Sequence, residues 1–129
     1  MGVSHRTATQ GSAQEVRELF RRDPAKLDEP DENGETPLLL ALAAGREEIA
    51  AVLLDLGASP NRNDRHGGTP LMTAARLGLL ASVKRLVSAG AEVAAEDTVD
   101  GLTALQWASL GHHTEVVDWL RRWLEEHGG

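Results

Sequence analysis

The amino-acid sequence predicts an all-α solenoid of about four stacked helix–turn–helix units with projecting turns. Two observations predict it. Thr36-Pro37-Leu38 returns as Thr69-Pro70-Leu71, Gly45 as Gly78, and Gly57-Ala58 as Gly90-Ala91, each 33 positions on. Such a period marks a repeat array, whose units bury their apolar faces against their neighbours. The 129 residues also hold four aromatics (Phe20, Trp107, Trp119 and Trp123) and no Tyr. A core of Leu, Val and Ala suits closely packed helices and argues against an immunoglobulin-like sandwich.

The first unit, about 3–35, is a worn N-terminal cap. Ala8, Glu15-Val16, Leu19 and Asp31 sit 33 positions before Ala41, Glu48-Ile49, Val52 and Asp64, but Val3, Ser4 and His5 replace Thr-Pro-Leu. The second unit, 36–68, shows the local physics best. Thr36 is a helix N-cap, and Pro37 follows at the first helical position, where a missing N–H is harmless. A short helix through Leu38, Ala41 and Leu42 stops near Gly45. A second helix carries Ile49, Val52, Leu53 and Leu56 as one apolar stripe. Gly57 suits a left-handed C-terminal cap. Ser59 to Gly68, rich in Asn, Asp, Gly and Pro, reads as an extended segment with a tight turn at its tip.

The third unit, 69–102, repeats this plan with Val83, Leu86 and Val87 before Gly90. The last, 103–129, is a C-terminal cap with Val116, Val117, Trp119 and Leu120 on its second helix. Its Thr103 lies 34 rather than 33 after Thr69, which places one extra residue around Thr98 and Val99. The four units are read as a single domain, 1–129.

These residues resemble the ankyrin repeat: a turn with Asp and Gly, Thr-Pro-Leu-His-x-Ala, a Gly ending the first helix, a Leu/Val-rich second helix, then Gly-Ala. Asp31, Gly34, Thr36, Pro37, Leu38, Ala41, Gly45 and Gly57-Ala58 match. So do Asp64, Gly67, Thr69, Pro70, Leu71, Ala74, Gly78 and Gly90-Ala91, and then Gly101, Thr103, Leu105, Ala108 and Glu115-Val116-Val117. The family His is replaced by Leu39, Met72 and Gln106, Ala104 stands for Pro, and Gly111 comes one place early. The resemblance implies an ankyrin-repeat solenoid whose turn tips and first helices form a concave surface.

Composition narrows the function. Net charge is −7, from 20 acidic and 13 basic residues, with no strongly basic stretch. Nucleic acid and anionic membranes are therefore not expected partners. No apolar run is long enough to span a membrane and no secretory signal is visible, so a cytoplasmic location is expected. The chain has no Cys, hence no disulfide and no thiolate site.

Little points to catalysis. The adjacent His112 and His113 project about 100° apart on a helix, too divergent for one metal. Asp28, Glu29, Asp31, Glu32 and Glu35 lack the ligand spacing of a calcium loop. There is no nucleophile elbow, phosphate loop or dinucleotide fingerprint. An enzyme, metal-dependent or acting on a small molecule, has only the His and carboxylate content behind it, and no cofactor is expected. Trp119 is expected to pack in the core and Trp123 to cover the open end of the stack. Trp107 is expected to pack against the second unit and is retained among the contact residues.

The resemblance implies a non-catalytic module that binds a partner protein through its concave face. The corresponding residues are Glu32, Asn33 and Glu35 at the first tip, Arg65 and His66 at the second, and Thr98, Val99 and Leu102 at the third. Arg76, Leu77, Trp107 and Leu110 come from the first helices. Such a face suits an interface of about 800 Å² per partner. The free chain is expected to be a monomer. A structural scaffold, a self-associating array or an engineered repeat is the alternative, and the uneven units argue for a natural sequence.

Overall fold

Hydroxyl side chains start the first helix of three of the four pairs. In a computed structural model describing residues 3–128, Thr36 Oγ1 accepts the Leu39 amide at 3.3 Å, Thr69 that of Met72 at 3.2 Å and Thr103 that of Gln106 at 3.3 Å. Gln106 Oε1 in turn accepts the Thr103 amide at 2.9 Å, completing a capping box. Each cap satisfies an amide that has no partner inside its helix.

Among the described residues eight α-helices follow in four pairs: α1 (Val3–Gln10) with α2 (Ala13–Arg22), α3 (Pro37–Ala43) with α4 (Glu47–Asp55), α5 (Pro70–Arg76) with α6 (Leu80–Ser88), and α7 (Ala104–Leu110) with α8 (Thr114–His127). The first helices pack side by side in one layer, α1 on α3 on α5 on α7. The second helices form the other layer, α2 on α4 on α6 on α8. The core runs between the layers through Val16, Leu38, Leu42, Leu53, Leu71, Leu86, Val116 and Leu120, all essentially inaccessible to solvent. Leu39 and Met72, at the family's His position, are buried too and pack instead of hydrogen-bonding.

The apolar stripe of α4 is shorter than the i, i+3, i+4, i+7 spacing predicts. Ile49, Val52 and Leu53 are buried, but Leu56 is 37% exposed. The helix ends at Asp55, and Leu56 belongs to the capping turn before Gly57. There the Ala58 amide reaches back to the Leu53 carbonyl at 3.0 Å, and the chain turns away from the core.

The first helices close in the same way. The residues after their caps are Gly45, Gly78 and His112, with φ of 71°, 73° and 59°. The next amides, those of Arg46, Leu79 and His113, bond back to Ala41, Ala74 and Ala108. Gly111 is thus the cap residue itself, and His112 holds the left-handed position that glycine fills elsewhere. This explains the early glycine of the last unit.

Side chains tie neighbouring pairs at equivalent positions. Asp28 Oδ1 accepts the Ser59 amide at 2.9 Å, and 33 residues on Asn61 Oδ1 accepts the Glu92 amide at 2.8 Å. Arg46 donates to the carbonyls of Ala8 and Gly11 at the end of α1. His113 Nε2 donates to the Arg76 carbonyl at the end of α5 at 2.8 Å. His113 is therefore committed to the stack, and His112 to the turn that ends α7. In α1, His5 takes the place of Leu38 and Leu71, buried with its Nε2 on the Glu29 carbonyl at 2.8 Å. Trp119 and Trp123 are half-buried against the last pair, with Trp123 stacked on His127 at 4.4 Å.

Candidate partner-binding face

One carboxylate organises each tip. Asp31 Oδ1 accepts the amides of Asn33 and Glu35, and Asp64 Oδ1 accepts those of His66 and Gly68, all at 2.8–2.9 Å. These are Asx turns, in which an aspartate replaces the backbone acceptors a tight turn lacks. Asp97 does the same for the third tip and does more. Its Oδ1 accepts the amides of Val99, Asp100 and Gly101, and its Oδ2 those of Leu102 and the Trp107 indole, the last at 3.0 Å. The extra residue of the third unit lies between Asp97 and Gly101, which are 33 and 34 positions after Asp64 and Gly67. It lengthens the tip and leaves Val99 66% exposed.

The tips are linked to each other. The Thr98 amide donates to the His66 carbonyl at 2.9 Å, and the Arg65 amide to the Asn33 carbonyl at 3.4 Å. Arg65 Nη1 also donates to the Glu32 carbonyl at 3.2 Å and to Asn33 Oδ1 at 3.4 Å. The Arg65 side chain therefore braces the first tip, although it is exposed.

Charge follows from this crowding. The Asp100 amide foremost, helped by the Trp107 indole and the amides of Leu102 and Val99, holds the Asp97 carboxyl below the usual carboxylate range against the opposing effect of burial. Burial pushes the Glu35 carboxyl up, and the Asp31 and Asp64 carboxylates push it further, while His5 opposes them.

Between the second and third tips, above α5 and α7, lies a cleft of about 280 Å³. His66, Arg76, Val99 and Trp107 line it, as do Met72, Thr73, Asp64, Gly68, Asp97 and Asp100. Four of the twelve sequence-derived contact residues thus meet in one place. Glu32, Asn33, Glu35 and Arg65 lie on the first tip and its link to the second. Thr98, Leu77, Leu102 and Leu110 lie outside the lining, with Leu110 62% exposed at the end of α7. Sequence reasoning missed Asp97 and Asp100, though the period marks Asp97 as the third of a series with Asp31 and Asp64. It also missed Met72 and Thr73, which share one helical face with Arg76.

A family model for ankyrin repeats (3 copies) matches residues 3–64 and again 61–126. The chain belongs to the ankyrin-repeat family. It is similar to the ankyrin repeat domain-containing protein SAT10 of Stachybotrys chartarum, 33% identical over 88% of this chain. NF-kappa-B inhibitor delta of Mus musculus is 38% identical over 82% of it. A transient receptor potential cation channel subfamily A member 1 homolog of Caenorhabditis elegans is 34% identical over 88%. The matches span 6%, 32% and 9% of those proteins' own lengths. Ankyrin repeats are generally protein–protein interaction modules. Among the described residues no helix is long and apolar enough to cross a membrane.

Proposed function

We propose that this chain is a non-catalytic recognition module that binds a partner protein on its concave face, anchored in the cleft between the second and third tips. The observation that carries the reading is the cleft's make-up. A half-buried Trp107 and an exposed Val99 stand beside Arg76 and His66, with Met72 beneath. Large apolar anchors beside charged groups are what concentrates binding energy at protein interfaces. Leu110, Leu77 and Leu102 extend the apolar part of the face, and Glu32, Asn33, Glu35 and Thr98 form its rim. Rim charges tune association rate and partner choice more than affinity. On this reading the free chain is a monomer.

The test compares partner capture from native cells by the unaltered chain, by a charge-neutral Val99→Ser/Thr73→Gln variant that removes the exposed apolar anchor and narrows the cleft, and by a Lys84→Glu/Arg85→Glu control on the second-helix layer. Arg65 is left alone because it braces the first tip. Specific partners lost by the cleft variant and kept by the control support the reading. Partners retained equally by both variants overturn it.

A further inference from the structure

Resting on that reading, we infer that the cleft takes a basic segment of the partner, an extended stretch that lays an arginine or lysine side chain across Trp107 with its charged head at Asp100. Three carboxylates line the cleft against one guanidinium, that of Arg76. They are not equivalent. Asp97 spends both oxygens on the tip and the indole, and Asp64 spends Oδ1 on two amides. The Asp100 side chain is exposed and, among the described residues, has no hydrogen-bond partner and no ion pair; the one ion pair among them is Lys26–Asp23. Asp100 is therefore the carboxylate with both oxygens free to receive a cation, and Asp64 keeps only Oδ2.

The wall beside it suits the rest of such a side chain. Lysine and arginine carry an apolar stem below the charge, and Val99 and Met72 offer apolar surface to that stem. The indole face attracts a cation through its quadrupole. The bond from its Nε1–H to Asp97 fixes the ring in advance, so little ordering is left for the ligand to impose. Arg76, on the helix side, repels a cation placed there and directs it toward the tips. Beyond the cleft, Asp31, Glu32 and Glu35 of the first tip add negative charge, offset in part by Arg65 on the link between the two tips.

The test uses amide and indole NMR spectra of the full chain, with Trp107→Phe assigning the indole signals. One probe is a short peptide with two adjacent arginines flanked by glycine and leucine. The other carries glutamates in place of the arginines. The arginine peptide is expected to shift the Trp107 indole and the amides of Val99 and Asp100, leaving the indoles of Trp119 and Trp123 in place. Asp100→Asn, which touches no internal contact, is expected to weaken it about two- to fivefold, the range for an exposed ion pair. Arg76→Ala is expected not to weaken it. The inference fails if the glutamate peptide binds equally or better, if neither peptide shifts these signals, or if Asp100→Asn has no effect. Should the peptide fail while the cleft variant still loses its native partners, the concave-face reading stands and the basic segment does not. If the peptide binds but native partners survive the cleft variant, the reverse holds.

Discussion

The indole Nε1–H of Trp107 donates to Oδ2 of Asp97 at 3.0 Å, so the third tip and the first helix of the last pair share one carboxylate. Removing it strands four backbone amides and the indole together. Asp97→Ala is therefore expected to lower the unfolding midpoint well beyond Asp100→Ala and to red-shift Trp fluorescence. The pH dependence follows from the depressed carboxyl. The folded chain binds fewer protons here than the unfolded one, whose carboxyl titrates near ~3.9. The stabilisation is present above that value and is lost as pH falls through the lower folded one. Melts of the protein and of Asp97→Asn should be furthest apart at neutral pH and converge in strong acid. A difference that widens on acidification would contradict the assignment.

The sequence period carries most of the fold because its signals are local. Threonine before the first helix, proline at its start and glycine after its cap each act within one turn of chain. What escaped were relationships set by distance in space. The bond from Thr98 to the His66 carbonyl joins two tips 32 positions apart in sequence, and no residue type announces it. The gathering of Met72, Val99 and Trp107 depends on stacking α5 beside α7. Asp97 is the exception. Its periodic place was readable, but the inserted residue behind it shifts Gly101 and Thr103 by one and disguises the match.

Glu35 behaves in the opposite sense to Asp97. Its carboxyl is raised, so the folded state binds more protons than the unfolded one between the two titration points. Its contribution is most favourable at low pH and is lost as pH rises through the folded value. Glu35→Gln removes the charge that burial, Asp31 and Asp64 oppose. It is expected to raise the midpoint at neutral pH, with the gain shrinking as the medium is acidified toward the carboxylate range. Thermal melts across that range check it, and a gain that grows in acid would refute it.

His112 sits at φ 59° where its counterparts are Gly45 and Gly78. A left-handed conformation costs a residue with a Cβ roughly 1–2 kcal/mol, which glycine avoids, although glycine also loses more freedom on folding. His112→Gly is expected to stabilise the chain by about 0.5–1 kcal/mol in denaturant titrations. The converse holds at Gly45, where a Cβ meets nothing within 4 Å. Gly45→Ala should lose a similar amount from backbone strain alone. Gly78→Ala should lose more, because its Cβ would strike the His113 ring that bonds the Arg76 carbonyl.

The stripe of the second helices separates buried leucines from a capping one. Leu53 and Leu86 are wholly inaccessible to solvent, at equivalent places in α4 and α6, and each contacts the core between layers. Leu53→Ala or Leu86→Ala removes that contact and leaves a cavity, at about 2–5 kcal/mol each. Leu56 shares their periodicity but lies 37% exposed in the turn after α4. Leu56→Ala should cost much less, under ~1 kcal/mol, since little apolar surface returns to water. Because a stack of units is held by nearest-neighbour contacts, the leucine losses should also broaden the transition by uncoupling the pairs on either side. Chemical denaturation of the three variants decides it. Equal losses at Leu53 and Leu56 would place Leu56 in the core and rule out the capping turn described for α4.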